Sequence, residues 1–131
     1  MSGFLDTSVV VRYLTRDSHE LADRAVSIID SETVLWLTEG VLAEIAHVLL
    51  SVHQLPRALV VDSLVALVQK QNISTYAMDK GLVSQALQMC HPSGRVSFPD
   101  ALNWASARSA GSEIVYTFDQ RFPSDGLELR G

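Results

Sequence analysis

The chain contains one cysteine, Cys90, among its 131 residues. No internal disulfide can form, and a cysteine-based zinc site is excluded. Long apolar runs are missing as well: the hydrophobic stretches are short and broken by charge, so no segment is expected to cross a bilayer. Met1-Ser2-Gly3-Phe4 places no basic residue ahead of an apolar run. No signal peptide is therefore expected, and the cytoplasm is the expected compartment. No repeat, low-complexity block or Pro/Gly/Ser-rich linker divides the sequence, which predicts a single domain over residues 1–131. Excess positive charge is also absent. The formal net charge is −5, so the chain as a whole repels a polyanion. A nucleic-acid-binding surface would have to be local, or be created by bound cations. If four of the acids were held on cations, the remainder would be close to neutral.

Hydrophobic residues make up 47% of the chain and charged residues 19%, a balance that belongs to a globular domain with a real core. Short apolar runs alternate with longer stretches of helical period, the pattern of an α/β domain with a parallel sheet. Strands are expected at residues 3–5, 33–37, 73–76 and 114–118, with a short edge strand at 127–129. Asp17 with Glu20 reads as a capping pair for a helix running to about Asp30. Thr38 is placed to cap a helix bearing Val41, Leu42, Ile45, Val48 and Leu49 on one face. Pro56 and Asp79 open two further helices, and a last one runs from Pro99 to Ala110 with Gly111 as its stop.

Four carboxylates stand out against this frame. Asp6 and Asp119 each follow an apolar strand directly, and ligand sites in parallel α/β sheets form beyond the carboxyl ends of strands where strand order reverses. Helix capping would also account for an aspartate at such a place. Glu44 falls three residues after Val41 and four before Val48, inside the apolar stripe of its helix. A carboxylate buried there needs a partner, either one of the eight arginines or a metal ion. Asp100 follows Phe98-Pro99 in the first turn of a helix, where the helix dipole alone would favour it. Several carboxylates converging on one pocket would repel one another unless cations neutralised them. An all-oxygen donor set favours Mg²⁺ or Mn²⁺ over zinc, and such ions activate water for phosphodiester cleavage.

The order of these acids resembles a known family. Phe4-Leu5-Asp6-Thr7-Ser8-Val9, Glu44 in the third helix, Pro99-Asp100-Ala101-Leu102 and Thr117-Phe118-Asp119-Gln120-Arg121-Phe122 together resemble a PIN domain. The similarity spans nearly the whole chain and is nearest to the VapC-type toxins of toxin–antitoxin pairs. It implies a three-layer α/β/α domain with a central parallel sheet of about five strands, and Mg²⁺- or Mn²⁺-dependent hydrolysis of RNA. Asp6, Glu44, Asp100 and Asp119 match the family's acidic quartet, as catalytic and metal-holding residues. Thr117 matches a hydroxyl position beside it that would orient an acid or a water. The resemblance also implies a homodimer and a small antitoxin partner that covers the site. Arg121 departs from the pattern and is a candidate phosphate contact or a solvated side chain. Asn103, one turn after Asp100, departs too, and is either a hydrogen-bonding partner of the site or an exposed polar residue.

Other readings bear on the same residues. Aspartate-nucleophile phosphatases require a second Asp two residues after the first, where this chain has Ser8, and receiver domains require a late Lys, which is missing after Lys80. A catalytically silent PIN-like module that binds RNA or protein remains the alternative to a nuclease. His47, one turn from Glu44, and His19, His53 and His91 show no ligand pattern. Trp36 and Trp104 are expected in the core, and Cys90 as a half-buried thiol.

Overall fold

A computed structural model describes all residues, 1–131. The order of elements is β1 (Ser2–Phe4), α1 (Thr7–Thr15), α2 (His19–Ile29), β2 (Val34–Leu37), α3 (Glu39–Ser51), α4 (Arg57–Val68), β3 (Ile73–Thr75), α5 (Lys80–Met89), α6 (Phe98–Ser109), β4 (Ile114–Tyr116) and β5 (Glu128–Arg130). Every expected strand is present within one to two residues of its expected limits. All strand pairings are parallel, as the alternation of strand and helix requires.

The hydrogen bonding divides the strands into two ladders, β1-β2-β3 and β4-β5. The first and fourth strands, which precede Asp6 and Asp119, share no ladder. What ties the two parts together is side-chain packing. Val115, Leu127 and Leu129 of the second ladder pack on the same core that takes Leu35, Leu37 and Ile73 from the first. Trp104 of α6 is fully buried, and its Nε1 donates to the Asp125 carbonyl at 2.8 Å in the loop ahead of β5. Arg108 donates to the same carbonyl at 3.0 Å and lies over the Trp104 ring.

Period-two alternation sorts the first ladder's side chains. Leu5, Leu35, Leu37, Ile73 and Thr75 point into the core. The opposite face carries Phe4, Trp36 and, just past β3, Tyr76, whose ring centroids lie 5.7–6.4 Å apart. Phe4 and Tyr76 are largely exposed and Trp36 is only half-buried. The core position expected for Trp36 is therefore corrected. The sheet carries it on the outward register with Phe4, and no helix closes over that face. Trp104 does occupy the core.

The helices begin where side-chain oxygens satisfy their first amides. Asp6, Thr38, Asp79 and Ser97 accept from Ser8, Val41, Leu82 and Asp100 at 3.0–3.2 Å. The expected Asp17–Glu20 cap is not formed. Ser18 occupies the N-cap of α2 without a side-chain bond, because Asp17 turns back to Arg12 at 2.8 Å. Cys90 is fully buried rather than half-buried, and burial pushes its thiol up to about 11. Such a thiol is inert at neutral pH.

Phe122 links this core to the loop that follows β4. Its ring is buried in the main cluster, while its amide donates to the Asp119 carbonyl at 3.2 Å. Phe122→Ala is expected to cost about 3–5 kcal/mol, measured as the change in unfolding free energy in urea. A cost under about 1 kcal/mol would show that this anchor contributes nothing beyond a surface residue.

Candidate functional site

The chain switches from strand to helix at Asp6. Leu5 still bonds as a strand residue, its amide donating to the Trp36 carbonyl at 2.9 Å. Asp6 is extended (φ −92°, ψ 153°), and Thr7 begins α1. The Asp6 Oδ2 atom accepts from Ser8 Oγ at 2.6 Å and from the Ser8 amide at 3.2 Å. The Ser8 hydroxyl, then the Ser8 amide, hold this carboxyl below the usual carboxylate range. Capping therefore accounts for Asp6 in part. The carboxylate remains exposed and ionised, with Ser8 engaging its Oδ2 atom.

Beside it lies a cavity of about 280 Å³ whose polar lining comes from Asp6, Thr7, Ser8, Arg12, Asp17, Glu44 and His53. Glu44 therefore meets Asp6 across α1 and α3, but not as a buried group. The buried stripe of α3 is Leu42, Ile45, Ala46 and Leu49, while Val41 and Val48 are half-buried and Glu44 is exposed. Its expected burial is corrected: the stripe is narrower than the 41/44/48 spacing implies, and Glu44 sits on its solvent edge. Thr7 Oγ1 is buried with no hydrogen-bonding partner in the protein, and Thr7 itself is only 6% exposed. A buried hydroxyl without a partner costs about 1–3 kcal/mol, and Thr7 lines this same cavity.

Two members of the lining were not found by sequence reading. Asp17 stood out only as a helix cap. His53 lies nine residues beyond Glu44, past the end of α3, where no helical spacing relates the two. The closing turn of α3 carries it there: its amide donates to the Val48 carbonyl at 3.1 Å, and the chain reverses only afterwards, at Gln54 (φ 52°).

The other two acids lie elsewhere. Asp119 Oδ1 accepts from the Arg121 amide at 2.8 Å and faces Arg121 Nε at 3.4 Å, and the Asp119 amide donates to Thr117 Oγ1 at 3.0 Å. The Arg121 amide above all, with its guanidinium, keeps this carboxyl below the ordinary range. Thr117 thus orients the loop that carries Asp119, and Arg121 is paired with Asp119 while largely exposed. Asp100 is half-buried in the first turn of α6, with its amide on Ser97 Oγ. Asn103 is exposed and bonds to neither. Neither Asp100 nor Asp119 lines the Asp6–Glu44 cavity. No three His, Cys, Asp or Glu side chains come close enough to hold a metal together.

What the pocket offers is three carboxylates, of which Asp17 is paired with Arg12 while Asp6 and Glu44, from different elements, face the space without a cationic partner. A hard divalent cation such as Mg²⁺ is commonly held by one or two carboxylates, with water completing its shell, so Asp6 and Glu44 fit such an ion by donor chemistry. The model of the PIN domain family matches residues 3–124, and the chain belongs to that family. Among solved structures, that of VapC20 from Mycobacterium tuberculosis, described as a sarcin–ricin-loop-cleaving toxin, matches over 97% of this chain and 97% of that one, at 22% identity with a TM-score of 0.44. No curated protein matches the sequence. No helix is long and apolar enough to cross a membrane.

The Ser8 bond gives a direct check on the electrostatics. Ser8→Ala should raise the Asp6 pKa back toward about 3.9, followed as the pH dependence of the Asp6 side-chain carboxyl carbon by NMR. The sign for stability follows. A depressed folded-state pKa stabilises the fold above the unfolded carboxylate pKa, and that contribution is lost as pH falls through the folded value. The wild type should therefore lose more stability than Ser8→Ala on acidification below about pH 4. Equal losses would remove Ser8 as the cause.

Proposed function

We propose that this chain is a metal-dependent endoribonuclease, the toxin of a toxin–antitoxin pair, hydrolysing RNA phosphodiester bonds at the Asp6–Glu44 pocket. The observation that carries the reading is the meeting of Asp6 and Glu44 at the carboxyl end of β1 in a PIN-family chain. Asp6 and Glu44 would hold a Mg²⁺ or Mn²⁺ ion. Asp100 and Asp119, at the start of α6 and after β4, are proposed as the remaining acids of the site on the strength of their motifs. When bound, the ion supplies a lowered pKa for coordinated water and charge stabilisation at the scissile phosphate.

The protein's own part is to keep the acids ionised and oriented. Ser8 holds one Asp6 oxygen at 2.6 Å, which leaves the other for a cation. At Asp119 the Arg121 amide donates to the carboxylate, while Thr117 Oγ1 accepts from the Asp119 amide and fixes the loop. With its carboxylates neutralised by cations, the site no longer repels the RNA backbone, which reconciles an acidic chain with a polyanionic substrate.

A protein partner is part of this proposal. The cleft between α1 and α2, lined by Val9, Leu21, Ala25 and Ile28 with Arg12 and Arg24, adjoins the acidic pocket through Ser8 and Arg12, which line both. Leu21 and Ile28 are exposed there. An antitoxin segment with apolar and acidic side chains would fill that cleft and reach the pocket.

The test incubates labelled structured and single-stranded RNAs with the protein and Mg²⁺, Mn²⁺ or EDTA, beside Asp6→Asn and Glu44→Gln. Cleavage that requires the metal and falls at least about 100-fold in each variant is expected, the scale on which loss of a transition-state charge partner acts. Undiminished cleavage by Asp6→Asn would refute the assignment. Binding without cleavage by folded protein across the panel would leave the silent module.

A further inference from the structure

The acidic pocket has to hold a phosphate as well as a cation, and its lining contains few groups able to do so. Asp6, Asp17 and Glu44 are acceptors only when ionised, and the Ser8 hydroxyl is committed to Asp6. Arg12 gives one N–H to Asp17 at 2.8 Å and keeps its other donors, while the unpartnered Thr7 hydroxyl is buried. His53 is a further donor of the lining. Its half-buried ring is engaged by no protein group, whereas His47 faces Ser51 and His91 pairs with Asp62.

The backbone holds His53 in place. The amides of Val52 and His53 both donate to the Val48 carbonyl, at 2.9 and 3.1 Å, closing α3. Gln54 then takes a left-handed conformation. The Leu55 amide completes the reversal on the Leu49 carbonyl at 3.0 Å. His53, held at the end of α3 just ahead of this turn, lines the same cavity as Glu44 and Asp6.

We propose that His53 is a substrate-binding residue, its ring N–H donating to a non-bridging oxygen of an RNA phosphate at the Asp6–Glu44 pocket. A neutral imidazole carries one N–H and a protonated one carries two, so the contact does not require a charged ring. The proposal rests on the nuclease reading for its substrate. It adds a residue that the acidic motifs do not contain.

The experiment uses the full chain with His53→Ala, and with His53→Gln as the conservative variant that keeps an N–H donor. With cleavable RNA, His53→Ala should raise KM about tenfold with kcat within about twofold, and His53→Gln should recover most of the loss. The same substitutions are then placed on Asp6→Asn, and affinity for fluorescein-labelled single-stranded RNA is read by anisotropy. Again His53→Ala should weaken binding about tenfold, and His53→Gln much less. If wild type cleaves and His53→Ala changes neither KM nor affinity, His53 fails alone. If no form cleaves but His53→Ala still weakens binding, the contact stands and the nuclease reading fails. If no form binds RNA, both fail.

Discussion

The turn at Asp6 is the constraint on which this molecule depends. Within a few residues the backbone leaves a ladder with β2, satisfies the first amides of α1, and presents a carboxylate to solvent. One oxygen of that carboxylate serves the fold, through the amide and hydroxyl of Ser8. The two roles reinforce each other: the bonds that cap the helix also keep the group ionised and limit its rotation. A helix start is therefore a good place for an ion-binding acid, because the positive end of the helix dipole favours the charge before any ion arrives. The same economy recurs at Asp119, where a backbone amide and a neighbouring hydroxyl hold the loop.

Packing, more than backbone pairing, holds the two halves together. Three strands form one ladder and two form another, and they are joined through the common core and through α6. Trp104 and Arg108 grip the Asp125 carbonyl, and Phe122 enters the common core. Ser106 Oγ donates to Glu39 Oε1 and so ties α6 to the start of α3. The acids follow this division. Asp6 and Glu44 belong to elements in direct contact, and they share a pocket. Asp100 and Asp119 belong to α6 and to the loop after β4, outside it.

Much of this was legible in the sequence. Strong local signals survive folding: the capping residues Thr38 and Asp79, the stop at Gly111 and the β-branched run ahead of β2 all act within a few residues of themselves. The strand-end positions of Asp6 and Asp119 were legible for the same reason. Long-range competition was not. Asp17 could not be seen to choose Arg12 over its own helix, because that choice depends on how α1 ends. Trp36 looked like core because nothing in a sequence says which face of a short sheet is left uncovered. Glu44 looked buried because a narrow stripe and a wide one share the same spacing. His53 was invisible for a stronger reason: it lies past the end of α3, in a closing turn where helical spacing no longer gives a side chain's direction.

The unlike settings of the two tryptophans give the protein a pair of built-in optical reporters. Trp104 sits fully buried in α6, and its indole N–H is bound to a carbonyl. Trp36 is half-buried on the open sheet face, against Phe4 and Tyr76. A polar quencher in solution reaches the second and not the first, so the emission separates into a surface component and an interior one. The surface component watches the end of β2, one strand away from Asp6. The interior component watches the helix that joins the two ladders. Events at the site and loosening of the core are thus distinguishable by light alone, with no label introduced.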